Sequence, residues 1–220
     1  MKRMLLAMSA VLMILALAAC GSGGNGSSPQ LFVTTILSDP VLDGDIQKDP
    51  VTGAFIVTQG NTQSVFAGIH PASGVEYRAF LAFPLTGANG VPGSAIIDSA
   101  FLDIVISSIV PQPLTSTIPV RVDLVSFPPA SLLGSDFDRT LQPALATTTV
   151  VPPISQADFG GHVTIDVTPL MVEAQRLGLL DFQVRIMEDL GIVTPGLIEI
   201  NDTTGANRNS LAPLLQVTYY

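Results

Sequence analysis

The sequence predicts an all-β fold, an antiparallel β-sandwich of jelly-roll type with one short helix. The chain after residue 30 consists of short apolar runs rich in β-branched residues, separated by Gly, Pro, Asn and Asp. Several of these runs alternate apolar and polar residues, as strands with one buried face do. Only one segment carries helix signals. Many short strands separated by turn residues are typical of a sandwich or barrel and not of βαβ units.

Ten segments fit the strand pattern: Leu31–Leu37, Ala54–Gln59, Ser64–Ile69, Glu76–Leu85, Ile97–Val110, Ile118–Phe127, His162–Val167, Asp181–Met187, Leu197–Ile200 and Leu214–Tyr219. Four segments between them have the composition of turns or loops, namely Pro71–Gly74, Gly87–Gly93, Pro111–Pro113 and Gly205–Asn209. Residues 128–153 contain much Thr and several Pro, which predicts a long loop.

The alternation also assigns faces to the strands. Val120, Val122 and Leu124 should point inward, with Arg121 and Asp123 on the solvent side. Other inward-facing sets are Leu81, Phe83 and Leu85; Ala100, Leu102, Ile104 and Ile106; and Leu215, Val217 and Tyr219.

The helix is predicted where capping signals coincide. Thr168 can act as the N-cap, Pro169 suits the first helical position, and Gly178 suits a left-handed residue after the last turn. Between them lies an apolar stripe of Leu170, Ala174 and Leu177. A helix with one apolar stripe is expected to close an end of the sandwich.

The N-terminus has the layout of an export signal. Lys2 and Arg3 precede an uncharged apolar run, Met4–Ala18, which is short for a membrane span. The ending Leu17-Ala18-Ala19-Cys20 resembles the lipobox of bacterial lipoproteins, in which the cysteine is acylated before cleavage. The alternative is an ordinary signal peptide with an accidental cysteine. We therefore expect a lipoprotein signal peptide over residues 1–20, a flexible tether and lead-in over 21–37, and the sandwich over 38–220.

Cys20 is the only cysteine in the chain, so no internal disulfide can form. Acylation would remove a free thiol from an oxidising compartment and would anchor the protein to a membrane. Gly21 and Ser22 follow the cysteine, with no Asp at either place. By resemblance to lipoproteins of enterobacterial type, this pair implies the outer membrane, on its periplasmic or cell-surface side.

The charge balance excludes one class of partner. The chain has 9 Lys and Arg against 18 Asp and Glu, and two of the cations, Lys2 and Arg3, belong to the signal. Nucleic acids and anionic membrane surfaces require clustered cations, so neither is expected to bind the sandwich. The remaining partner classes are the membrane through the lipid anchor, polysaccharides, and proteins of the envelope.

The order of motifs along residues 38–220 resembles the DNRLRE-type domain, a jelly-roll sandwich related to disaggregatase-like carbohydrate-binding modules and found in bacterial and archaeal surface proteins. The motifs that carry the resemblance are Asp43-Gly-Asp45-Ile46, Arg78-Ala-Phe80-Leu81-Ala-Phe83-Pro-Leu85, Ile97-Asp-Ser-Ala100-Phe-Leu102, Asp166-Val167-Thr168 and Pro213-Leu-Leu215-Gln-Val217-Thr-Tyr219. The chain departs from the family by a longer region between Ile46 and Phe66, and by Asn201-Asp202 where the family often has Ser and a basic residue.

The sequence contains no recognisable pattern of catalytic residues. His70 and His162 are the two histidines, both beside turn residues, and no Gly-x-Ser-x-Gly elbow is present. The aspartates are mostly in turns, so no glycosidase pair stands out. We expect a protein that is not an enzyme.

Oxygen ligands are more plentiful, which makes calcium a candidate. Asp39, Asp43, Asp45 and Asp49 cluster in the sequence, and Asn201 and Asp202 lie in the last loop. From these we select Asp43, Asp45, Asn201 and Asp202 as candidate ligands. The alternative is that the aspartates form turns, because Asp bonds to its own local backbone.

A sugar site would need an exposed aromatic ring beside hydrogen-bonding groups. Tyr77, flanked by Glu76 and Arg78, is the best candidate in a chain with no Trp and three Tyr. The leading functional expectation is a non-catalytic envelope or surface lipoprotein that serves adhesion, envelope structure or assembly. A polysaccharide-binding module is the alternative, and a hydrolase is a distant third.

Overall fold

The β-branched runs form antiparallel strands throughout the described part of the chain. The computed structural model describes residues 29–111, 114–128, 131–189 and 195–220. The predicted signal peptide, Cys20 and residues 21–28 of the predicted tether lie outside these ranges. The sandwich lies within Leu31–Tyr220, so it begins before the predicted boundary at residue 38.

The strands are β1 (Phe32–Leu37), β2 (Gly44–Lys48), β3 (Phe55–Gln59), β4 (Ser64–Ile69), β5 (Glu76–Pro84), β6 (Ile97–Pro111), β7 (Val120–Val125), β8 (Ala146–Thr149), β9 (His162–Asp166), β10 (Asp181–Glu188), β11 (Gly196–Asn201) and β12 (Leu214–Tyr219). The described ranges also contain two α-helical segments, α1 (Thr168–Arg176) and the single turn α2 (Arg208–Leu211). Two 3-10 turns cover Gly134–Phe137 and Gln156–Asp158.

All strand pairs are antiparallel, and one curled sheet supplies both layers of the sandwich. The pairing runs in the order β1-β12-β6-β11-β4-β5-β10-β7-β8, with β2 on β5, β3 on β2, and β9 on β6. The long strand β6 pairs with β12 and β9 through its first half and with β11 through its second half. The predicted all-β sandwich is therefore confirmed.

The core lies between the layers and contains the side chains that alternation predicted. Its fully buried members include Leu81, Phe83, Leu102, Ile104, Val122, Leu124, Val184, Leu215 and Val217. Burying one such side chain contributes about 1.5–3 kcal/mol. The inward faces assigned to β5, β6, β7 and β12 are confirmed.

One outer face of the sheet is covered, which corrects the prediction for Asp123. Asp123 was expected on the solvent side but is wholly buried. Residues 126–128 and 131–145 lie over this face and close a second apolar cluster of Ile46, Phe80, Val125, Phe127, Leu132 and Phe137. The segment predicted as a long loop, residues 128–153, also contains β8, which pairs with β7.

The helix is confirmed, with two corrections at its ends. Thr168 is the first helical residue and not the N-cap, because Asp166 Oδ1 accepts a hydrogen bond from its N–H at 2.9 Å. Leu177 is exposed, and Met171 is buried beside Leu170 and Ala174 instead. Gly178 has a φ of 66°, as the predicted C-terminal position requires. No helix in the described ranges has the length and apolar character needed to cross a membrane.

Candidate functional site

Arg78, one of the three residues predicted to bind a sugar, anchors the segment that covers the outer face. Its guanidinium carbon lies 3.9 Å from the centre of the Phe137 ring, and Nη1 donates a hydrogen bond to the Phe137 carbonyl. Glu76 completes the contact through an ion pair of 2.7 Å. The buried Arg78 side chain is therefore engaged by protein groups, which leaves Tyr77 as the ring of the predicted site.

Tyr77 lies on β5, where alternation puts it on the opposite face from Arg78. Its ring centre is 5.8 Å from that of Phe66, and the side chain is partly exposed. Partial burial, together with the charge of Asp45, raises the pKa of Tyr77. Asp45 is itself buried, and burial raises its pKa to about 6, against the opposing effect of a hydrogen bond from the Phe66 backbone. Tyr77 and Asp45 thus form one polar patch at the border of the core.

Glu188 is a buried carboxyl that the sequence analysis missed. It ends β10 and is 3 % exposed. Its carboxyl accepts hydrogen bonds from the backbone N–H groups of Ile69 and Gly196, while burial raises its pKa to about 7. A signal was present in the sequence, because Glu188 has the same parity as the inward-facing Val184 and Ile186.

A second buried polar group lies under the covering segment, residues 126–128 and 131–145. Arg185 and Asp123 form an ion pair of 2.8 Å in which neither side chain is exposed. Arg185 Nη1 also donates to the carbonyl oxygens of Asp136 and Gln142, at 2.8 and 3.1 Å. Gln183 completes the attachment by bonding both the N–H and the carbonyl of Phe127. These groups hold the covering segment on the sheet, so their role is structural.

Two of the four predicted calcium ligands come together. Asp43 and Asp202, both wholly buried, share a hydrogen bond, and Arg208 Nη1 lies 3.2 Å from Asp202 Oδ1. Burial and the charge of Asp202 raise the pKa of Asp43 well above its usual range. Where water is excluded, the negative charge of one carboxylate disfavours the ionisation of its neighbour.

The other two predicted calcium ligands, Asn201 and Asp45, do not join the pair of Asp43 and Asp202. The amide of Asn201 donates to Ser107 Oγ at 3.2 Å and accepts from the Thr203 N–H at 3.0 Å. Within the described ranges, no three His, Cys, Asp or Glu side chains are grouped as a metal site requires. Calcium binding stays a prediction, with Asp43 and Asp202 as its centre.

Two other aspartates of the acidic cluster form turns. Asp39 Oδ1 accepts the N–H of Val41 at 2.9 Å, and Asp49 Oδ1 accepts those of Val51 and Thr52 at 2.8 Å. These bonds are the local contacts for which Asp is favoured in turns.

The two histidines make separate contacts. His70 Nδ1 lies 3.1 Å from Ser73 Oγ, and His162 Nδ1 lies 2.6 Å from Asp103 Oδ2. A serine-hydrolase relay needs one histidine that contacts both a serine and a carboxylate. The described residues do not combine these contacts at either histidine.

A groove of about 530 Å³ lies beside β1, within the size range of small-ligand sites. Its lining comes from β1, the loop after β5, α2 and β12, and comprises Thr35, Ile36, Leu37, Pro84, Thr86, Ala88, Asn89, Asn209 and Leu214. None of these side chains is ionisable. Four are polar, and none of the four makes a side-chain hydrogen bond to another described residue. The groove therefore offers two carboxamides and two hydroxyl groups above an apolar base.

The chain matches no protein-family model, and no curated protein is significantly similar to it. The resemblance to the DNRLRE-type domain stays a prediction.

Proposed function

We propose that this protein is a lipid-anchored, non-catalytic component of the bacterial cell envelope, held at the outer membrane, whose sandwich is an interaction domain for adhesion, envelope structure or assembly. The observation that supports this proposal is the groove beside β1, which combines four polar side chains with an apolar base and lacks any ionisable side chain. General acid–base catalysis needs a group that titrates, and covalent catalysis needs an activated nucleophile. The groove contains neither, which favours binding over reaction.

The walls of the groove are held in place by the fold. Thr34 Oγ1 donates to the carbonyl of Asn89 at 2.8 Å, which fastens the loop after β5 to the edge strand. Within that loop, the Val91 N–H donates to the Leu85 carbonyl at 3.0 Å. A site that is already formed loses less conformational entropy on binding.

Binding through the groove can be tested by mixing the full chain, kept in detergent, with isolated envelope fractions. We expect the wild type to sediment with one fraction, outer membranes or cell-wall sacculi, and the double variant N89A/N209A to bind at least tenfold more weakly. Gln216→Ala is the matched control, because it removes an exposed carboxamide of β12 outside the groove lining. Equal binding by the double variant and the control would remove the support that the groove gives to an interaction function.

A polysaccharide-binding module is the second candidate, since carboxamides and hydroxyl groups are suited to the hydroxyl groups of a neutral glycan. A glycan array, probed with and without calcium, separates it from the first. Binding to one glycan class that is lost in N89A/N209A would place the glycan in the groove. Loss on Tyr77→Ala, with the groove variants unaffected, would place it at the site predicted from the sequence.

A further inference from the structure

Three strands meet at Glu188 with very little space between them. Gly68 of β4 lies opposite Leu197 of β11, next to Gly196. A Cβ on Gly68 would clash with the Gly196 carbonyl, and a Cβ on Gly196 would clash with the Ile118 side chain. Gly68 also has a φ of 112°, which a side chain would strain. Gly68 therefore permits the close approach of β4 and β11, and Gly196 leaves room for Ile118 beside β11.

The carboxyl of Glu188 ties this junction to β10. It accepts the N–H of Ile69, next to Gly68, and the N–H of Gly196. Its other oxygen, Oε2, is buried and has no hydrogen-bond partner among the described residues. An unpaired buried oxygen destabilises an ionised carboxylate more than a neutral carboxyl group, because water is excluded from the charge.

We propose that the protonation state of Glu188 controls the stability of the junction of β4, β10 and β11. The protonated side chain keeps the strands together, and its ionisation lets them separate more readily. The two glycines and the two backbone hydrogen bonds locate this effect. The change concerns the fold itself and does not depend on the function proposed above.

The other charged groups near the junction do not neutralise Glu188. Glu76 of β5 raises the pKa of Glu188 through its own negative charge. Arg78 is paired with Glu76, and Arg121 is paired with Asp189 at 2.5 Å. His70 follows Ile69, and its Nδ1 is engaged by Ser73. Tyr77 lies opposite Gly68 on β5, and burial raises the pKa of its phenol above the ordinary 10.0, so it carries no charge near pH 7.

The direction of the pH effect follows from linkage. The folded-state pKa of Glu188 is about 7, above the ordinary 4.5, so the folded junction holds its proton more tightly than the opened one. The stabilisation is complete at low pH and is lost as the pH rises through 7. Between pH 6 and pH 8 the equilibrium constant for local opening should rise about tenfold.

Hydrogen exchange on the full chain measures this opening. After correction for the intrinsic rate, protection of the Ile69 and Gly196 amides should fall about tenfold from pH 6 to pH 8 in the wild type. Glu188→Gln keeps an accepting oxygen without a titratable proton, so its protection should not change with pH. Glu173→Gln, an exposed carboxylate of α1, should behave as the wild type does.

The proposal is overturned if the wild-type amides show no pH dependence, or if Glu188→Gln retains it. Because Glu188→Gln could fail to fold, a second measurement uses the wild type alone. The side-chain carbon of Glu188, followed by NMR in isotopically labelled protein, should titrate near pH 7. A titration below pH 5 would overturn the proposal independently of any variant.

Discussion

Arg185 of β10 and Asp123 of β7 lie opposite each other in the strand register and form an ion pair with no exposure to solvent. The pair lies on what alternation alone assigns as an outer face. Residues 131–145 cover that face, and Arg185 donates hydrogen bonds to two carbonyl groups of this covering segment. The Arg185 side chain thus binds both a neighbouring strand of the sheet and the segment that covers it.

Arg185→Met should destabilise the protein by about 3–5 kcal/mol, because it leaves Asp123 buried with part of its charge uncompensated. Arg139 and Thr147 also contact Asp123, at 3.1 and 2.7 Å, and they limit the loss. Denaturant unfolding gives the free energy. The exposed pair of Arg176 and Glu173 is the control, since Arg176→Met should have little effect. The double variant D123V/R185M should be less destabilised than R185M alone, and a stable R185M would contradict this account.

Asp45→Asn should stabilise the protein at pH 7. The folded-state pKa of Asp45 is about 6, above the ordinary 3.8. Its ionisation therefore opposes folding, and the full effect is reached once the pH exceeds about 6. Asparagine removes this penalty and can still accept the Phe66 N–H, for a gain of up to about 3 kcal/mol. The gain should vanish below pH 4, as followed by denaturant unfolding across pH.

Asp49 provides a control for Asp45, because the pKa of Asp49 is shifted in the opposite direction. Hydrogen bonds from Thr52 and Val51 lower the pKa of Asp49, so its ionised form supports folding. Asp49→Asn should therefore give no gain at pH 7. If both variants change stability in the same direction, burial is not the cause of the Asp45 effect.

Calcium binding at Asp43 and Asp202 predicts a measurable stabilisation. Burial raises the pKa of both carboxyl groups, and a cation bound between them would favour their ionised forms. At free calcium one hundred times the dissociation constant, the folded state would gain about 2.7 kcal/mol. Thermal unfolding with calcium and with a chelator makes the comparison, and Asp202→Asn should abolish any difference. Identical unfolding temperatures in the wild type would contradict the calcium prediction.

Cys20→Ser should abolish lipidation, because a hydroxyl cannot replace the thiolate in thioether formation. Wild-type protein should incorporate labelled palmitate and partition with detergent. The variant should accumulate as uncleaved precursor in the inner membrane, or appear as soluble protein if another peptidase cleaves it. The acidic sandwich offers no electrostatic attraction to an anionic bilayer, so on the lipoprotein prediction the acyl chains alone would hold the protein. Wild-type protein that takes up no label and washes off membranes would contradict the lipoprotein prediction.

The sequence predicted those parts of the fold that local periodicity determines. The strands β4 and β12 were predicted to the residue, and Gly178 has the predicted left-handed backbone just after the end of α1. By contrast, β2 and β8 carry many polar residues and become strands through pairing with β5 and β7. Their short segments contain too little alternation for a single sequence to reveal them.

The site was predicted less completely, because its geometry depends on contacts between distant parts of the chain. Asp43 and Asp202 were both selected as oxygen-rich positions, but their direct pairing depends on where the last loop lies. Arg78 was predicted as a ligand-binding group. It is instead buried under the covering segment, where it binds Phe137. Glu188 has an inward parity, yet only the close approach of β4 and β11 explains its hydrogen bonds.

The pairing of β1 with β12 has a consequence for the order in which the molecule can be completed. About 180 residues separate these partners, and β6 also needs β12 for its first half. A ribosome makes β1 early, yet the strand that satisfies its backbone emerges only after all the other strands have been made. Until then the sheet lacks a border and its apolar face stays incomplete. The pairs that β12 makes with β1 and with the first half of β6 can therefore form only after the end of the chain has been made.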